Sequence, residues 1–531
     1  MAIDVPVLLA FNRGLISKLA LGRVDIGRTA LSAEEQTNWM PRVLGSMMLR
    51  PGLGYVGNTH NFNKAYHVPF FYSVDDTALI EITDSALRVR LTPASTLIER
   101  SAATITVANS EFTSDLTSWA DADDSGSASA WVTGGYMGLT GTTFSSARRR
   151  QEITAAAGTH SLRITVELGP VFIKIGSASG LDDFVGSKQL RTGVHSLEFD
   201  TTGSSFWVEL SASVEYQALV TSVVTEAAGA MVLPAPWPEA ALPEIRYAQS
   251  LDVIFFACRG YKQKRLERQG PTSYSIVDYD AEDGPFQNQN VTPIVLTPSA
   301  QVGNISVTAS EPFFTADDVG SIFQLKSTGQ RVLSTFTGED QYSDYVKVTG
   351  TGNQRRFYFT FTGLNANTTV VTLQRSVAEP GAWVDVEDYD DNQTGTRFDD
   401  GLDNQIIYYR VGIKTGDYNA GTIGIVLNFA SSGSITGVVR VTAFSSTTSV
   451  SAVVLSPLGS SDGTVNWSEG EWSARRGWPT TVGFYEGRLW FFGNDRIWGS
   501  ASDQYDSFDL DIEGDSAPVI RSIGDGPTEV L

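Results

Sequence analysis

Four sets of side chains have the residue types and spacing that chemistry could use. Gly459-Ser-Ser-Asp-Gly463 has the outline of a nucleophile elbow around Ser461. An elbow needs an apolar strand before the serine, a helix after it, and an acid and a histidine further along. His195 is the last of the four histidines, so no imidazole base follows Ser461, and the segment reads as a loop. Gly52-Leu-Gly-Tyr-Val-Gly57 matches the spaced glycines of a dinucleotide site, whose pyrophosphate rests on a helix N-terminus. Pro51 precedes it and Asn58-Thr-His-Asn follows, which suits neither the strand nor the helix that site requires, and no cofactor is expected.

The third set is acidic. Asp385-Val-Glu-Asp-Tyr-Asp-Asp391, with Asp399, Asp400 and Asp403, could surround calcium, as could Asp121, Asp123 and Asp124. Neither has the spacing or closing Glu of an EF-hand loop, so both read as solvated turns and no metal is expected. Carboxylate pairs for glycoside cleavage could exist among 60 acids, but that chemistry is defined by a separation in space. The fourth set is basic, Arg148-Arg-Arg150 and Lys262-Gln-Lys-Arg265, which could touch phosphates. In a chain of net charge −22 these read as ion-pair partners. Cys258 is the single cysteine, which excludes an intrachain disulfide and a cysteine zinc site.

Elements able to position such groups are mostly strands. The 531 residues favour several domains, and 41% hydrophobic content is that of a folded protein. Fifty glycines and 11% aromatics suit short strands and tight turns. Alternation is plain in Ser161-Leu-Arg-Ile-Thr-Val-Glu-Leu168, Phe206-Trp-Val-Glu-Leu210 and Gly437-Val-Val-Arg-Val-Thr-Ala443. Helical signals are few: a capping box from Ser32 to Glu35 predicts a helix over 32–39, and a helical turn is expected over 315–319. The most apolar internal run, from Leu251 to Cys258, is too short to span a membrane, and no membrane-spanning segment is expected.

A repeat stands out when Pro69, Pro243 and Pro479 are superposed. Nine to thirteen residues on lie Ala78-Leu-Ile-Glu-Ile82, Asp252-Val-Ile-Phe-Phe256 and Arg488-Leu-Trp-Phe-Phe492. Each is followed by a second strand, Ala86-Leu-Arg-Val-Arg90, Lys264-Arg-Leu-Glu-Arg268 and Arg496-Ile-Trp-Gly499. Such a unit is a propeller blade in outline. The expected class is all-β, with propeller-type blades interrupted by inserted β-sandwich domains and an N-terminal arm. The expected division is an arm over 1–65, a first blade over 66–100, a jelly-roll sandwich over 101–228, a second blade over 229–292, a β-sandwich region over 293–458 and a third blade over 459–531. Three blades leave a propeller incomplete at Leu531. Pro234-Ala-Pro-Trp-Pro238 reads as a stiff hinge between the jelly roll and the second blade.

Phe11-Asn-Arg-Gly14, Gly22-Arg-Val-Asp25, Asn38, Gly45 and Leu49-Arg-Pro-Gly52 resemble the opening of the tail tubular, or nozzle, proteins of short-tailed phages. Arg246-Tyr-Ala-Gln-Ser-Leu-Asp252 and Asp283-Gly-Pro-Phe286 resemble the same family, as does the stretch from Gly477-Trp-Pro479 through Gly487-Arg-Leu-Trp-Phe-Phe-Gly493 and Trp498-Gly-Ser500 to Phe508-Asp509. Asn109-Ser-Glu-Phe112, Leu116-Thr-Ser-Trp119 and Ser205-Phe-Trp207 of the first insertion resemble carbohydrate-binding-like jelly rolls of phage structural proteins. The resemblance implies a virion tail protein, assembled in the host bacterial cytoplasm. Its copies would form a homo-oligomeric, six-fold nozzle ring below a tail adaptor protein, with tail fibres or a needle as further partners. Viral DNA would pass through the channel without sequence-specific binding. Arg13, Arg23, Arg28, Arg42 and Arg50 of the arm are the expected contacts between copies. No catalysis is expected. The alternatives are a receptor- or polysaccharide-binding tail protein and a polysaccharide-degrading enzyme.

Overall fold

The computed structural model describes residues 10–523, apart from 21, 22, 24, 28, 93, 102–104, 143, 144, 365–367, 379, 404, 511 and 513. The chain divides into two compact units, Met1–Asn58 and Thr59–Leu531. Both are built of strands and turns, and the fold is all-β with a propeller-like arrangement of sheets.

The N-terminal unit holds one small hairpin, Trp39–Pro41 with Met47–Leu49, and a parallel bridge between Leu15 and Ala33. The helix expected over 32–39 does not form. Ala33 instead exchanges backbone hydrogen bonds with Gly14 and Ile16, and Asn38 takes a left-handed conformation at φ 64°. A helix of two turns is unstable without an apolar face to bury, and this segment has none. The helical turn expected at 315–319 is present, as Ala316–Asp318 with Thr315 and Asp318 forming a capping box.

In the larger unit the three repeats are three antiparallel meanders. The first comprises Tyr66–Phe71, Thr77–Thr83 and Ala86–Thr92. The second runs Arg246–Ser250, Val253–Cys258, Tyr261–Arg268 and Tyr274–Asp278. The third runs Thr481–Tyr485, Arg488–Gly493, Arg496–Gly499 and Val519–Ser522. The second lies between the other two, which explains its unbroken apolar strand. Ile254, Phe256 and Cys258 pack on one side with Val68, Phe70, Ile80 and Trp237. Phe255 and Ala257 point the other way and pack with Val482, Leu489, Phe491 and Trp498. A strand buried on both faces needs no polar alternation.

The expected hinge is not one. Leu233–Pro234 pairs with Leu87 and Ala86 as the fourth strand of the first meander, and Trp237 is fully buried beside Phe256. Proline is compatible with a short edge strand, where its missing N–H interrupts no ladder. The chain therefore leaves the first sheet, builds a sandwich and returns to close the same sheet.

That sandwich has Phe112, Leu162, Ile164, Val208 and Leu210 in its core. One of its sheets continues into the second meander, where Gly193–Thr201 pairs with Tyr274–Asp278. The result is a single nine-stranded sheet. In the second insertion two long strands, Ile322–Phe336 and Ile423–Ser446, pair along most of their length. One stretch of this ladder, with Val332 and Leu427, belongs to a core that includes Phe359 and Tyr409; another, with Phe323 and Val439, belongs to a core that includes Phe314 and Trp467.

Candidate functional site

Two of the segments that carry the resemblance, around Asp283 and Phe508, meet between the second and third meanders. Asp283 accepts hydrogen bonds from the Ser507 hydroxyl at 2.5 Å and the Phe508 amide at 2.7 Å. Gly284 stands at φ 141°, and a Cβ there would come within 3.1 Å of the Phe508 Cβ, so a side chain would be strained and crowded. Tyr279 donates to the Tyr505 carbonyl at 2.6 Å and packs against Phe491 and Trp472. Burial pushes the Asp283 carboxyl and the Tyr279 hydroxyl upward.

Charged side chains edge this seam in matched groups. Arg265 grips Asp506 with both contacts under 3 Å, and Arg191 reaches the same carboxylate at 3.3 Å. Lys262 bridges Asp278 at 2.9 Å and Asp280 at 2.6 Å, while Lys264 adds a second cation to Asp278. Burial alone would raise the Asp280 carboxyl, but Lys262 and Arg440 hold it well below the usual range. The basic run 262–265 is thus engaged with acids. So is the second basic cluster: Arg148 meets Asp124, Arg149 meets Asp121, and Arg150 meets Glu209. Arg149–Asp121, Arg150–Glu209 and Lys264–Asp278 join paired neighbouring strands of one sheet, whereas Arg265–Asp506 crosses the seam.

Most of the acidic stretch expected as a turn is instead the strand Val384–Tyr389, paired with Val371–Val377, and the acids have similar duties. Asp123 and Asp124 accept backbone N–H groups of Ser129, Ser146 and Arg148. Asp385 pairs with Lys414, Asp399 with Arg356 and Asp400 with Arg355, and Asp403 accepts the Gly352 amide. Among the described residues no group of three or more His, Cys, Asp or Glu could hold a metal ion. Residues 52–57 contain no strand or helix, and Asp462 in the Ser461 loop takes a fork from Arg331.

Of the five arm arginines, Arg28 lies outside the described residues. Arg13, Arg23, Arg42 and Arg50 are exposed, with Arg23 paired to Asp25 and Arg50 donating to Asn38 at 2.6 Å. Apolar side chains of the same unit are exposed as well. Among described residues 10–58 no apolar side chain is buried; Leu19, Val43 and Leu44 are 95%, 92% and 98% exposed. A groove of about 380 Å³ is lined by Phe11, Trp39 and Met47. The unit has six basic and four acidic side chains, so the remaining chain carries more than the whole net charge of −22.

One further cavity, of about 550 Å³, lies between the two insertions and is lined by Glu215, Asp344, Tyr345, Trp383 and Arg410. No motif in the sequence marked these residues, which span nearly two hundred positions without a common spacing.

No protein-family model matches this chain, and no curated protein matches it. Solved structures with some similarity include the M60 catalytic domain with two CBM51 domains of Clostridium perfringens ZmpB, at 8% identity over 55% of this chain and 34% of that one, TM-score 0.13. Hazelnut (Corylus avellana) vicilin aligns at 7% identity over 61% of this chain and 87% of its own, TM-score 0.12. The coconut allergen cocosin aligns at 7% identity over 64% and 85%, TM-score 0.11. The first alignment spans about a third of that structure. At these scores none bears on function.

Proposed function

We propose that this chain is a structural virion protein that forms the tail nozzle ring of a short-tailed bacteriophage, continuing the DNA-ejection channel below the portal and adaptor. The observation that carries the reading is the N-terminal unit: it buries no apolar side chain among its described residues and exposes both arginines and leucines. Such a segment gains burial only from a neighbour. A second copy suits it, since an apolar and mildly basic arm complements an acidic body. Support also comes from the seam, where residues of the resemblance more than two hundred positions apart bond to one another.

In this reading six copies close the ring, the adaptor sits above, fibres or a needle attach, and DNA passes a mainly acidic or neutral wall. Phosphate contacts by Lys and Arg would add affinity that passage must undo. The reading assigns the chain no reaction.

Particle mass by light scattering tests it, with negative-stain imaging of the full chain alone and with the upstream tube. Closed rings should form, and deletion of residues 1–58 should abolish them while the β-type circular dichroism spectrum persists. Rings at unchanged yield without the arm would refute its role. A monomer that joins no tube would refute the nozzle.

A further inference from the structure

We propose that the cleft between the two insertions is a binding site for a neutral saccharide. The inference stands apart from the nozzle reading, because it uses residues outside the arm and the seam.

Arg410 lines the cavity. Its guanidinium is sandwiched between rings, 4.1 Å from the Tyr342 centroid and 4.3 Å from that of Trp383. Its Nε donates to Gln374 at 3.0 Å, and no carboxylate pairs with it among the described residues. Burial lowers its pKa to about 10. Tyr345 extends the wall, with its ring 6.3 Å from Trp383 and edge-on to Tyr408 at 5.2 Å. Glu215 and Asp344 line the cavity too, close to Tyr345. Glu215 has no hydrogen-bond or ion-pair partner among the described residues, and Asp344 takes a backbone N–H from Gln301. Burial raises both carboxyls, and Asp344 raises Glu215 further.

Glu215 differs from most acids of the molecule in having neither a cation nor a hydrogen-bond donor among the described residues. Other half-buried or buried acids, such as Glu81, Glu209, Glu226, Asp278, Asp400, Glu469 and Glu471, each have an arginine or lysine. Here a cation and two acids line one cavity with no ion pair between them among the described residues. A ligand matched to this lining would offer hydrogen-bond donors to the acids and acceptors to Arg410. A sugar ring does both: hydroxyls donate to Glu215 and Asp344, other hydroxyl oxygens accept from Arg410, and the C–H face lies against an aromatic wall. An anion would be repelled by the two carboxylates. A bare cation would find only two side-chain ligands and a guanidinium in the same cavity, too few for calcium. The volume falls in the range of roughly 300–1,000 Å³ usual for ligand clefts.

The test uses the full chain and a panel of neutral hexose and N-acetylhexosamine oligomers of two to six residues, read by saturation-transfer NMR and calorimetry. Oligogalacturonate and calcium chloride serve as the anionic and cationic probes. At least one neutral oligomer should bind. Trp383→Ala, and separately the pair Glu215→Gln and Asp344→Asn, should each weaken binding at least about tenfold. Trp131→Ala, which alters an exposed tryptophan elsewhere in the first insertion, should leave it unchanged. Circular dichroism confirms that each variant is folded, and the carboxamide pair, which preserves shape, keeps the test valid if Trp383→Ala misfolds. Failure of every neutral oligomer to bind would overturn the proposal. So would binding indifferent to the cleft variants, loss of binding in Trp131→Ala, or binding confined to the anionic probe or calcium.

Discussion

Lowering the pH should loosen the joint between the first inserted sandwich and the second meander, and His195 is the reason. It lies on Gly193–Thr201, opposite Ser275, and is 0% exposed. Its Nε2 donates to the Arg191 carbonyl at 2.9 Å, so the neutral ring accepts the Ser275 hydroxyl at Nδ1, at 2.8 Å. Burial lowers its pKa from 6.5 to about 4. Because the folded value lies below the unfolded one, the unfolded chain takes up the proton first as pH falls. Stability is therefore unaffected above neutrality and is lost between about 6.5 and 4. At pH 4.5 the linkage amounts to about 2.5 kcal/mol relative to pH 7.5. Hydrogen exchange over Gly193–Thr201 and Tyr274–Asp278, corrected for intrinsic rates, should show protection falling by up to about seventyfold in the wild type. His195→Gln, which has no proton to gain, should lose that share of the pH dependence. Identical pH profiles for the two proteins would refute the assignment.

Three other outcomes are expected. Trp237→Ala should destabilise the first two meanders by about 3–5 kcal/mol, read from denaturant midpoints, because a fully buried indole leaves a cavity. Arg355→Met should cost about 3–5 kcal/mol by stranding Asp400, which is 2% exposed, and adding Asp400→Leu should recover part of the loss. Cys258, buried and with its thiol pushed up to about 12, should resist alkylation at pH 8 in the native protein and react on denaturation.

The meanders were legible because each strand pair is local. Val253–Cys258 and Arg488–Gly493 announce themselves by apolar runs between turns, at matching distances from Pro243 and Pro479. The return of Leu233–Pro234 to the first sheet was not legible, since a pairing with Leu87 leaves no local trace and prolines suggest a linker. The helix expected over 32–39 failed because a capping box starts a helix but cannot hold one without packing. The acidic turns and basic clusters were visible as charges, but sequence could not say that Arg355 would choose Asp400 or that Arg150 would choose Glu209. Glu215, Asp344, Trp383 and Arg410 share no spacing, and only the packing of two insertions brings them to one cleft.

The split first sheet also constrains how the chain is made. During synthesis Ala86–Thr92 emerges early, yet its partner Leu233–Pro234 follows roughly 150 residues later. Thr96–Leu97 covers Arg90 and Leu91, so for the interval between, the ribosome-bound chain presents the Ala86–Leu87 end as an open β edge while the sandwich is collapsing. The sandwich brings the two ends of its own sequence back to that edge, so its folding delivers the missing strand. The insertion thus acts as a timer for the sheet that hosts it, and a defect in the sandwich would surface first as aggregation of nascent chains through the waiting edge.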